Sequence, residues 1–170
     1  MTQFDPIFTA LQATGVRYVV VGGMAVNLHG YQRFTKDIDL VIDLIPDQSL
    51  KALEALDKLG YKPNLPVKLS DFADASIRGG WIRDKGMLVF QMYSDQSRLS
   101  IDIFASYPVE FEALWSQGTK ISLPAASLRI ASIDHLILMK REAGRAQDLL
   151  DIEMLGKIKH ILAESRDVPK

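Results

Sequence analysis

The spacing of apolar positions changes period several times along the chain, and each change marks an element. Ile7, Phe8 and Leu11 recur at helical spacing over 6–13, with Gly15 as the stop. Residues 18–21 form an apolar, strand-like run that ends at Gly22-Gly23. A short helix over 24–28, a polar loop over 30–36 and a second strand over 38–42 follow. Pro46-Asp47 opens a helix carrying Leu50, Leu53, Leu56 and Leu59, closed by Gly60. Residues 61–69, with Pro63 and Pro66, read as a strand edge or loop. A helix interrupted at Gly79-Gly80 is expected over 71–84. Strand-like runs at 87–93 and 98–104 flank the turn cluster Ser94-Asp95-Gln96-Ser97, which predicts a hairpin. The rest reads as a short helix over 108–115, short strands at 119–123 and 128–131, and helices over 133–143 and 145–164 split by Gly144.

Strands and helices therefore mix throughout, which predicts one α/β (α+β) domain over 1–170 with a C-terminal helical segment at about 132–166. The hairpin favours a mixed sheet. Composition narrows the setting. At 170 residues and 48% hydrophobic, the chain has the make-up of an ordinary globular domain. No apolar run approaches the roughly 20 residues of a membrane span. The first ten residues, MTQFDPIFTA, lack a basic start and do not read as a secretory signal. There is no cysteine, hence no thiolate zinc site, and a cytoplasmic location is expected. A formal net charge of -1 argues against non-specific polyanion binding. His29, His135 and His160 lie far apart and form no local ligand pair.

The candidate chemistry lies between residues 17 and 43. With a strand period of two, Asp37 and Asp39 project from one face while Ile38, Leu40 and Ile42 point to the other. Two like charges about 4 Å apart repel by roughly 4 kcal/mol at an effective dielectric near 20. A divalent cation removes that penalty, and Mg²⁺ favours carboxylates shared with substrate phosphates. Gly22 and Gly23, lacking Cβ atoms, let backbone approach a phosphate, and the helix behind them would turn its N–H groups toward an anion. Two-metal phosphoryl chemistry needs a further carboxylate from a neighbouring strand. Asp102, between Ile101 and Ile103, is the candidate; alone, it would read as an exposed acid on an edge strand.

The combination Gly22-Gly23, then Asp37-x-Asp39, resembles the nucleotidyltransferase superfamily that includes DNA polymerase beta. Arg33-x-Thr35-Lys36-Asp37-Ile38-Asp39-Leu40 is most similar to its minimal bacterial members, the AbiEii-like group. The resemblance implies a short mixed sheet with helices packed on it, a metal site of Asp37, Asp39 and Asp102 holding Mg²⁺ or Mn²⁺, and Asp102 as the base for the acceptor hydroxyl. It implies transfer of a nucleoside monophosphate from a nucleoside triphosphate to RNA, a protein or a small molecule, and a toxin with an antitoxin partner. A module that binds nucleotide or partner without turnover is the alternative.

The segment from Lys140 onward carries the remaining candidates. Ile133, Leu136, Ile137, Met139 and Ala143 form one apolar face, and Lys140 falls inside it. Such a lysine snorkels to solvent, pairs with Asp148 or Asp151, or emerges in a cleft to meet triphosphate; the last is the favoured expectation. Lys140, Arg145 and Asp148 also resemble the final AbiEii-like motif, with Gln147 where lysine is usual. Arg33, Thr35 and Lys36 read either as phosphate ligands or as a solvated polar turn. Trp81, Tyr93 and Trp115 are expected to pack.

Overall fold

The structure, a computed structural model, describes residues 3–166. Helix α1 (Asp5–Thr14) begins with Pro6 in its first turn and stops where Gly15 turns left-handed at φ 70°. Strand β1 (Tyr18–Val21) runs into helix α2 (Gly22–Leu28), and β2 (Asp37–Ile42) into helix α3 (Pro46–Lys58). After β3 (Lys62–Pro63) come two helices, α4 (Leu69–Ala73) and α5 (Ala75–Lys85). Strands β4 (Val89–Ser94) and β5 (Leu99–Phe104) form the expected hairpin. Helix α6 (Phe111–Gln117), strands β6 (Thr119–Ser122) and β7 (Ser127–Ile130), and helices α7 (Ile133–Ala143) and α8 (Ala146–Arg166) complete the chain.

The seven strands form one mixed sheet in the order β3-β4-β5-β2-β1-β7-β6. Its centre is β5-β2-β1, with β2 parallel to β5 and antiparallel to β1. Alternation sorts the two faces. Ile38, Leu40, Phe90, Met92, Ile101 and Ile103 are essentially fully buried and join Phe8, Leu11, Leu53, Leu56 and Phe72 in one core. The other face of β2, β4 and β5 is only half covered. Trp81 and Phe72 flank Phe90, at ring separations of 6.3 and 4.6 Å. Trp115 lies 6.5 Å from Phe111 with Arg129 over its ring.

Several boundaries differ from expectation, among them α2, which starts at Gly22 rather than at 24. The helical stretch around residue 75 is broken at Asp74, and Gly79 and Gly80 lie unbroken inside α5. Asp74 takes an extended ψ of 117° and its Oδ1 accepts the N–H groups of Ser76 and Ile77. This cap starts a new helix, whereas glycine inside one costs only about 1 kcal/mol. Helix α6 begins at Phe111 rather than at 108, because Glu110 caps it by accepting the Ala113 N–H at 2.8 Å.

Candidate active site

The sheet register assembles the acids. Asp39 lies opposite Asp102 across the parallel β2/β5 pair, and Asp37 lies opposite Ser100. Paired residues share a face, so Asp37, Asp39 and Asp102 stand together on the half-covered side. Next along the same row is Gln91 of β4. Its Nε2 donates to Asp102 Oδ1 at 2.8 Å, while its Oε1 accepts from Asn64. One oxygen of Asp102 is thereby fixed and the other left for chemistry. Nothing in the local sequence around Gln91 announces this role; only the hairpin register does.

The glycine pair serves its neighbours in a way spacing alone does not reveal. Gly22 has φ 61°, and a Cβ there would fall 1.9 Å from Asp39 Oδ2. A Cβ on Gly23 would fall 2.5 Å from Arg33 Nη2 and 2.9 Å from Thr35 Oγ1. The room that was expected to admit a phosphate is, in the free protein, taken by the Asp39 carboxylate and by the loop that precedes β2. That loop is anchored from α2. Asn27 donates from Nδ2 to the Arg33 carbonyl and accepts the Arg33 N–H, at 2.8 and 2.9 Å. Thr35 Oγ1 donates to the Asp37 carbonyl. Lys36 lies over the Phe34 ring at 5.8 Å.

Opposite the acids, α7 and α8 contribute a buried charge network. Lys140 is 5% exposed, Asp148 1% and Asp151 0%. Lys140 Nζ lies 2.6 Å from Asp151 Oδ2 and 3.2 Å from Asp148 Oδ1. The Asp151 contacts have the geometry of ion pairs rather than of aligned hydrogen bonds. Asp151 Oδ1 also meets Arg33 Nε at 3.2 Å and accepts from Gln147 at 3.0 Å. Asp148 accepts the N–H of Arg145, closing the first turn of α8, and takes the Arg145 guanidinium at 2.7 Å. Snorkelling is thus excluded for Lys140. Its apolar helical face turned inward, and two acids from the next helix came to meet it. Asp151, absent from the sequence-derived site, ties the loop, α7 and α8 together.

A cavity of about 450 Å³ opens between these two groups. It is lined by Gly22, Gly23, Arg33, Thr35 and Lys36 on one side, and by Asp37, Asp39 and Asp102 at its floor. Lys140, Arg145 and Asp148 close the other side. All the sequence-derived site residues thus meet in one place. Phe34, Phe104, Met139 and Gln147 also line it and were not anticipated.

Electrostatics separates the acids. Burial, then the charges of Asp102 and Asp37, push the Asp39 carboxyl up to about 6. Burial raises Asp102 as well, partly offset by the Gln91 hydrogen bond and reinforced by Asp37. Burial also opposes ionisation of Asp148, but hydrogen bonds from Arg145 and Lys140 outweigh it and hold its carboxyl below the usual range. The floor acids therefore repel one another without a cation of their own, which is the electrostatic condition a divalent ion relieves. Among the described residues, no three His, Cys, Asp or Glu side chains are gathered tightly enough to grip a metal unaided. Carboxylate oxygens are the donor type that hard divalent cations take.

The profile described as "Nucleotidyl transferase AbiEii toxin, Type IV TA system" matches residues 8–168. No curated protein matches the chain by sequence. Among solved structures, the lincomycin-bound lincosamide antibiotic adenylyltransferase LnuA is similar at TM-score 0.57 and 18% identity, covering 86% of this chain and 90% of that one. The antibiotic-resistance factor ANT(2'')-Ia is similar at TM-score 0.60 and 13% identity, over 96% and 89% of the two chains. An inferred nucleotidyltransferase of Thermotoga maritima gives TM-score 0.55 at 13% identity, over 93% and 89%. At these identities the likeness is one of fold.

Proposed function

This chain belongs to the AbiEii nucleotidyl transferase family, and from that premise we propose that it moves a nucleoside monophosphate from a nucleoside triphosphate to an acceptor hydroxyl. The observation that carries the reading is the contrast inside one cavity: three acids with no paired cation on the floor, and the cations Arg33, Lys36, Lys140 and Arg145 around them. Asp37, Asp39 and Asp102 would hold Mg²⁺ or Mn²⁺. When bound, such an ion neutralises charge on the phosphoryl oxygens and orients them. Arg33, Lys36, Lys140 and Arg145 hold the triphosphate, while Gly22 and Gly23 leave room for the Asp39 carboxylate and the loop before β2. Thr35 and Asp148 keep Asp37 and the two basic side chains Lys140 and Arg145 in place.

The acceptor oxygen attacks the α-phosphorus, the bond to the bridging oxygen of the β-phosphate breaks, and pyrophosphate leaves. The hydroxyl proton passes to the Asp102 oxygen that Gln91 leaves free. A carboxyl raised by burial is a better base than an ordinary one. Catalysis is then positioning and charge complementarity. In a cell the protein would act in the cytoplasm as a toxin restrained by an antitoxin protein. No helix among the described residues is long and apolar enough to cross a membrane. Incubation of the protein with Mg²⁺, each labelled triphosphate and cell extract tests the reading. Label moved to any RNA, protein or small molecule is the expected result, and no transfer with any of the four triphosphates overturns it.

A further inference from the structure

The cavity does not end at the acids. Beyond Asp39 and Asp102 it continues into a second hollow of about 630 Å³. Its walls come from the entry to β4, the exit of β5 and the last turn of α7. Leu88, Val89, Phe104, Pro108 and Met139 make those walls largely apolar, and Leu88 is 77% exposed. Among the described residues, no lysine or histidine lines the hollow. Its one arginine, Arg145, is shared with the first cavity and already paired with Asp148 at 2.7 Å. The ionised side chain it has to itself is Glu142, exposed at its edge.

We propose that this hollow is the acceptor subsite, and that it takes a small hydroxylated molecule with an apolar body and a cationic amine. The proposal rests on the nucleotidyl-transfer reading above. Position supports it: both hollows share Asp39 and Asp102, so an acceptor here sets its hydroxyl beside the triphosphate held in the first. Size supports it, since pockets for small molecules run to roughly 300–1,000 Å³. Chemistry decides the class. A nucleic-acid end brings phosphates that need lysine or arginine and bases that need stacking rings. Among the described residues the hollow offers one arginine, which the triphosphate in the first cavity engages, and the single ring of Phe104. An amine instead meets Glu142, whose charge remains uncommitted when Asp39 and Asp102 face a metal ion. The apolar body covers Leu88, which otherwise stands bare to water.

In the transfer the acceptor O–H oxygen bonds to the α-phosphorus, pyrophosphate carries away the bridging oxygen, and the proton goes to Asp102. The test uses the full chain, Mg²⁺, labelled triphosphates and three acceptor probes: aryl-alkyl amino alcohols, their N-acetylated counterparts, and bulk tRNA. The expected result is label on the amino alcohols, with kcat/KM at least tenfold lower after N-acetylation. Glu142→Gln should produce a similar loss for the amines while the triphosphate-induced rise in Tm is unchanged. Label on tRNA instead, increased by Glu142→Lys, overturns the proposal. So does an intact triphosphate shift with no transfer to the amino alcohols. Absence of the triphosphate shift itself overturns the nucleotidyl-transfer reading, and this one with it.

Discussion

Four aspartates line one cavity and a fifth, Asp151, is buried behind its wall, and the protein treats them in opposite ways. Asp148 and Asp151 are almost wholly buried, yet each is met by cations: Lys140 and Arg145 for one, Lys140 and Arg33 for the other. Asp37, Asp39 and Asp102 are less buried and, among the described residues, have no cation in ion-pair contact; the direct partner of Asp102 is the neutral Gln91. The first group is a structural clasp that joins the loop before β2 to the C-terminal helices. The second group keeps a repulsion that folding creates and that a counter-charge or a neutral side chain would remove. Burial is therefore a poor guide to function here, and the absence of a counter-charge is a good one.

The contrast is broken most severely by removing Lys140. Lys140→Met keeps the stem but strands two buried carboxylates, so the free protein should lose about 3–5 kcal/mol of stability, measured as a fall in the denaturant midpoint. Unchanged stability would mean the clasp contributes nothing. Asp39→Asn should do the reverse. It removes repulsion, so the free protein should be at least as stable. Turnover should nevertheless fall by about 10²–10³, equivalent to roughly 3–4 kcal/mol of transition-state stabilisation. Wild-type turnover in a folded variant would remove Asp39 from the site.

The two groups also differ in the sign of their pH dependence. Asp39 has a folded-state pKa of about 6 against an ordinary 3.8. Its stabilising contribution is fully present below the ordinary value and is lost as pH rises through about 6. Asp148, held low, contributes above the ordinary value and loses its contribution as pH falls through its depressed pKa. Between pH 4 and 7, metal-free protein should therefore lose stability with rising pH from Asp39, and Asp39→Asn should flatten that limb in urea titrations. The smallest effect sharpens the comparison from outside. Lys157 and Glu153 pair at 2.6 Å on the open surface of α8. Lys157→Ala should leave the denaturant midpoint unchanged, since exposed pairs are weak.

Much of this was legible because it is local. A strand ending in Gly22-Gly23 and a strand opening with Asp37-x-Asp39 need only period two and the missing Cβ to be read. Asp102 was legible through its apolar flanks. Lys140 was recognised as anomalous from helical periodicity, but its partners were not chosen, because pairing depends on how α8 folds back over α7. Asp151 is legible only as an alternative partner of Lys140, because its contact with Arg33 depends on the same folding back. Gln91 and Asn27 could not be picked out, since each acts through a hydrogen bond set by tertiary register. The break at Asp74 is hard to see in sequence because Gly79-Gly80 is the stronger helix-breaking signal, whereas a capping side chain acts only once its helix has formed.

The sheet order has a consequence in time. Asp39 and Asp102 meet only when β5 has paired beside β2, after α3, β3, α4, α5 and β4 have been made. Such long-range closure is slow compared with helix or hairpin formation. Lys140 then waits for Asp148 and Asp151, which emerge from the ribosome after it, at about 5–20 residues per second. A nascent chain stalled before α8 would carry the floor of the cavity without its far wall. A chain terminated anywhere before α8 therefore lacks an assembled site.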